Sequence, residues 1–67
     1  MSKILQFTHG DDIDNNLVAV WQYSMNWYDF IINSGEGIVS YEYSGNDVRT
    51  ITFESEEHKN WYLLKWS

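Results

Sequence analysis

Apolar and polar residues alternate from Lys3 to Thr8, with Leu5 and Phe7 on one face, and this period of two reads as a β-strand. Gly10 interrupts the pattern. The acidic run Asp11-Asp12-Ile13-Asp14 then looks like a helix start, its carboxylates suited to capping free amides at the positive end of the helix dipole. From about Asp14 to Ile32 the spacing turns helical. Steps of about 100° gather Leu17, Val20, Trp21, Ser24, Tyr28 and Ile31 on one side, the expected core face, and Asn15, Gln22, Asn26, Asp29 and Asn33 on the other. A third stripe, Ala19, Tyr23, Trp27 and Phe30, borders the polar side and is awkward to pack under the same sheet. Asn33-Ser34-Gly35 stops the helix, with Gly37 as a second termination signal.

Alternation returns over Ile38 to Tyr43 and again over Val48 to Glu54, where Ile51 and Phe53 share a face, and the turn residues Ser44-Gly45-Asn46-Asp47 join these strands as a hairpin. Ser55 offers an N-cap and Glu56 and Glu57 a first turn for a short helix towards Trp61 and Leu64, while Tyr62 to Trp66 fits helix or strand. The predicted order is β-α-β-β-α in one α+β domain spanning residues 1–67. The first strand, crossover helix and second strand form a right-handed unit, and helices cover one face of a three-stranded sheet. This is most of a ferredoxin-like pattern, which an extended Leu63-Leu64-Lys65-Trp66 would complete as a fourth strand.

Size sharpens the reading. A 67-residue chain buries only about 60% of the surface it exposes when unfolded. With no cysteine it has no disulfide to compensate, which leaves tight packing or association. Twelve aromatic residues, four Trp, five Tyr and three Phe, bring roughly 150–250 Å² each, more than so small a core can hide, so some rings are expected outside.

Ten carboxylates against four basic residues give a net charge of −6, which disfavours direct binding to a phosphate backbone. No apolar run approaches the ~20 residues that span a bilayer, and Met1-Ser2-Lys3 leads into a strand-like segment without a signal-peptide core, so a cytoplasmic location without membrane partners is expected.

Candidate chemistry is sparse. Asp12-Ile13-Asp14-Asn15-Asn16 resembles the opening of a calcium loop, but Leu17 and Tyr23 stand where that loop needs glycine and glutamate. His9 and His58 have no second ligand at metal spacing, no nucleophile constellation is legible, and Gly35-Glu36-Gly37 lacks the lysine and helix of a phosphate loop. The expectation is a protein that binds rather than catalyses, with no catalytic residues, cofactor or metal.

The expected partner-binding residues are Tyr23, Trp27 and Phe30 with Asp29, Glu54, Glu56 and Glu57. Rings would give affinity, and carboxylates would steer the protein to a basic groove that ordinarily holds nucleic acid. The plainer alternative is that the acids only cap helices and solubilise, and that the stripe laps over the sheet edge.

The closing stretch Thr52-Phe53-Glu54-Ser55-Glu56-Glu57 followed by Trp61-Tyr62-Leu63-Leu64-Lys65-Trp66 resembles an ending found in small accessory proteins of tailed bacteriophages, those of host takeover and counter-defence. The likeness extends more weakly through the preceding hairpin and helix, and it departs at His58-Lys59-Asn60, where an acidic residue and alanine are more usual. The resemblance implies binding and inhibition of a host protein and assigns no site residues. Two rival readings stand beside it: a structural homodimer closed by the aromatic stripe, and a single-stranded nucleic-acid binder stacking bases on Tyr41, Tyr43 and Phe53.

Overall fold

The structure, a computed structural model, describes residues 2–67. Six elements follow one another: β1 (Ile4–Thr8), α1 (Asp12–Val20), α2 (Trp27–Ile32), β2 (Ile38–Tyr43), β3 (Val48–Phe53) and α3 (Glu56–Trp66). The sheet order is β1-β3-β2 and both pairings are antiparallel. β1 and β2 therefore run parallel with β3 inserted between them, the strand arrangement of a split β-α-β unit. The α+β class and the three-stranded sheet agree with the sequence pattern. The fourth strand does not form, because α3 continues through Leu63, Leu64 and Lys65 to Trp66.

Register explains the core. Leu5, Ile51 and Tyr41 lie side by side across the sheet, and the next row inward is Phe7, Arg49 and Tyr43. Leu5, Phe7, Tyr41, Ile51 and Phe53 are buried on this face against Leu17 of α1, Ile31 of α2 and Tyr62 and Trp66 of α3. Alternate residues of the same strands, among them Gln6, Thr50 and Glu42, point to the other face, where a polar surface suits solvent. Val39 is exposed because the β2–β3 register slips between Ile38 and Ser40.

The helix expected over Asp14–Ile32 is two helices. α1 ends as Trp21 adopts an extended conformation (ψ 134°), and α2 starts at Asn26, whose side chain accepts from the amides of Tyr28 and Asp29. A side-chain cap of this kind satisfies amides that a new helix otherwise leaves bare. The break rotates the second half of the segment relative to the first. Val20 and Tyr28, expected on the core face, are exposed, and Ser24 lies in the connecting turn.

The acidic run also departs from expectation. α1 begins at Asp12, and Asp11 reaches backward to accept from the Thr8 amide at 2.8 Å rather than capping the helix. That hydrogen bond holds the Asp11 carboxyl below the usual range. Asp14, one turn further on, is only 1% exposed. Ser55, in contrast, caps α3 as its sequence predicts, accepting from the His58 amide.

Ser34 ties the end of α2 to α3. Its hydroxyl bonds the Ile31 carbonyl and the Tyr62 hydroxyl, and its own carbonyl accepts from the indole N–H of Trp66 at 3.1 Å. The buried hydroxyl of Tyr62 is pushed up to about 12 by desolvation, with the Ser34 bond acting in the opposite direction.

Candidate protein-binding surface

The six-residue connection between α1 and α2 is closed by its own side chains. Trp21 donates its indole N–H to the Met25 carbonyl at 2.9 Å, and the Met25 amide bonds the Gln22 carbonyl at 2.8 Å. Tyr23, at the tip, is 80% exposed, yet its ring lies 4.6 Å from that of Trp21, which in turn meets Trp27 edge-on at 4.9 Å. Tilted and edge-on contacts of this sort restrain a ring without hiding it. Val20, Met25 and Tyr28 are exposed nearby in the chain.

Beneath this turn sits a charge pair absent from the sequence reading. Arg49, on the core face of the central strand, places its guanidinium 5.6 Å from the Trp27 ring centroid and 5.5 Å from that of Tyr43. Its Nε lies 3.5 Å from Oδ1 of buried Asp14. The other Asp14 oxygen accepts from the Gly10 amide at 3.1 Å and faces Nδ1 of His9 at 3.4 Å. A buried carboxylate and a nearly buried guanidinium compensate each other, and two flat rings cover the cation. The indole N–H of Trp27 donates to the Tyr41 hydroxyl at 2.9 Å, which locks the upper ring. His9, Val18, Trp21, Tyr23, Trp27 and Arg49 together line a shallow cleft of about 240 Å³.

The expected binding residues are thus partly united. Tyr23 and Trp27 share this cleft. Phe30 does not join them: it is half-buried between Trp27 and Trp66, with ring centroids 5.7 and 6.4 Å away, because α2 turns it onto the core. Asp29 is exposed in the first turn of α2. Glu54 sits between β3 and the Ser55 cap, Glu56 and Glu57 form the first turn of α3, and Glu57 lines a different groove.

That second groove, about 530 Å³, is bordered by Gly35, Glu36, Glu57, His58, Trp61, Tyr62 and Lys65. Trp61 and Leu64 project outward here, 65% and 77% exposed, while Tyr62 and Trp66 on the opposite side of α3 are buried. Nδ1 of His58 is 2.8 Å from the Ser55 hydroxyl, an oxygen already engaged as the helix cap. Among the described residues, no three or more His, Asp or Glu side chains gather as a metal-binding group.

Comparison of the chain with protein-family models, curated proteins and solved structures found no match. Of the ten carboxylates only Asp14 is buried and only Glu56 half-buried, whereas Arg49 and Lys59 are both withdrawn from full exposure. The surface is consequently more acidic than the composition. No helix is long and apolar enough to cross a membrane among the described residues.

Proposed function

We propose that this chain is a binding protein that engages and blocks a protein partner with a basic surface, in the manner of small phage proteins that occupy nucleic-acid-binding grooves of their hosts. The observation that carries the reading is Tyr23, held 80% exposed on a turn closed by Trp21. An anchor ring restrained before binding by a neighbouring indole loses less conformational freedom on docking, and single aromatic residues often dominate interface energetics. The exposed carboxylates supply long-range attraction to a cationic groove and so raise the association rate.

The test is affinity capture from bacterial lysate with the wild-type chain and Tyr23→Ala side by side, followed by titration of the captured protein at two salt concentrations. The expected result is a partner of basic surface whose affinity falls at least about tenfold in the variant, roughly 1.4 kcal/mol, and falls again as salt rises. A partner held equally by both proteins would remove Tyr23 from the interface, and salt-independent binding would remove the carboxylates.

A further inference from the structure

We propose that the outer face of α3 is a self-association surface, on which a second copy of this chain packs antiparallel about a two-fold axis at Trp61. On a helix advancing about 100° per residue, Glu57, Trp61 and Leu64 fall within an arc of about 60°, with Asn60 and Lys65 at its edges. All five are exposed, and the opposite side carries buried Tyr62 and Trp66. Two neighbouring apolar residues at the centre of an otherwise polar stripe form an unpartnered contact.

The charges identify the occupant. Glu57 stands four residues before Trp61 and Lys65 four residues after it, so the stripe has opposite charges at equal distances from its apolar middle. An isologous interface requires this self-complementarity, since each residue meets its counterpart across the axis. In an antiparallel pair centred on Trp61, Glu57 of one copy faces Lys65 of the other, twice, and Leu64 faces the His58 position at the mouth of the 530 Å³ groove. At a shallow crossing of about 20° and an axis separation of about 8–10 Å, the opposed backbones stay within reach of these long side chains. Lys65 donates to its own Ser34 carbonyl at 3.3 Å and lies over Trp66, one of its three ammonium N–H groups being used in that bond.

The rest of the surface argues for the same face. Each copy carries a net −6, and most of its carboxylates are exposed, so the majority of approaches set acid against acid. The α3 stripe bears one charge of each sign, Glu57 and Lys65, and both border the same groove. The Tyr23 turn belongs to the α1–α2 connection and takes no part in this contact, so a dimer would carry two such turns and bind a repeated or dimeric partner with avidity. The inference stands independently of the proposed partner.

Sedimentation equilibrium decides it. The wild type is expected to approach twice the 8.0 kDa chain mass at high micromolar concentration. Glu57→Lys alone and Lys65→Glu alone should each weaken the dimer at least about tenfold by setting like charges opposite one another. An equimolar mixture of the two variants should recover it, because each then presents the charge the other lacks. Both positions are exposed, and because Lys65 also bonds the Ser34 carbonyl, folding of each variant is checked by circular dichroism together with its urea midpoint. A wild type that stays at the chain mass overturns the proposal. So does a dimer insensitive to both reversals, or a mixture that fails to recover.

Discussion

Replacing Asp14 by Asn keeps the size of the side chain and an oxygen for the Gly10 amide while removing the charge opposite Arg49, so it isolates the ion pair. Asp14 is 1% exposed and the Arg49 side chain 13% exposed, and the guanidinium is covered by Trp27 and Tyr43. Breaking such a pair from one side typically costs about 3–5 kcal/mol, because the remaining charge stays desolvated. Here the Asp47 carbonyl, 3.4 Å from Nη1, and the two rings retain part of the stabilisation, so about 2–4 kcal/mol is expected. Total stability for a domain of this size is on the order of 3–10 kcal/mol, so the loss should be plain in a urea titration followed by tryptophan fluorescence. Arg49→Met leaves the carboxylate stranded and should cost a similar amount. The double variant removes both charges and lets Met fill the slot between the rings, so it should be markedly more stable than the sum of the singles predicts. If the singles add to within about 0.5 kcal/mol, the two groups are not coupled and the reasoning fails.

Tyr62 titrates at about 12 in the fold against 10.0 in the open chain, so its burial contributes stability that is complete below pH 10 and lost between pH 10 and 12. The amount is about 2–3 kcal/mol. Tyr62→Phe should flatten that alkaline slope in thermal melts, and a wild type showing no such slope would contradict the assignment. Gly37 has φ +74°, and a Cβ there would run into the His58 ring, whereas a Cβ on Gly10, φ +96°, meets open space. Gly37→Ala should therefore lower the urea midpoint clearly more than Gly10→Ala, which carries only the backbone strain of about 1 kcal/mol. Tyr23→Ala should change stability by less than about 0.5 kcal/mol in the same titration, since the ring contacts little beyond Trp21.

The strands and the hairpin were legible because a period of two, broken by Ser44-Gly45-Asn46-Asp47, has few other solutions. The break between α1 and α2 was not, since no glycine or proline marks it. Its signal was Asn26 followed three residues later by Asp29, a cap and an acidic N3 position, but both also fit the polar side of one continuous wheel. The same continuous wheel sets Phe30 beside Tyr23 and Trp27, whereas the break packs it against the core. Arg49 is marked only by its alternation with Ile51 and Phe53, which sets it on the core face. Such a position demands a buried carboxylate, and Asp14, one turn before Leu17, was available. In α3 the sequence offers two apolar faces, Tyr62 with Trp66 and Trp61 with Leu64. The choice falls to hydrogen bonding: the hydroxyl of Tyr62 and the indole N–H of Trp66 both find Ser34, and a buried polar tip needs such a partner.

The twelve rings can then be sorted by what each does inside the molecule. Phe7, Tyr41, Phe53, Tyr62 and Trp66 fill the core, Trp27 and Phe30 cover its edge, and half-buried Trp21 packs on Trp27. Tyr28 and Tyr43 are exposed but employed, the first against Tyr41 and the second over Arg49 with its hydroxyl on Asp47 at 2.8 Å. The hydrogen bond to the Asp47 carboxylate raises the Tyr43 hydroxyl above its ordinary value. Tyr23 and Trp61 remain. Neither seals the core nor screens a charge, and each stands on an element fixed from below, Tyr23 by the closed turn and Trp61 by the Ser34-anchored helix. In a chain with so little interior to spare, these two exposed rings are the ones on which the two proposed contacts rest, and their places on separate elements make those contacts separable by mutation.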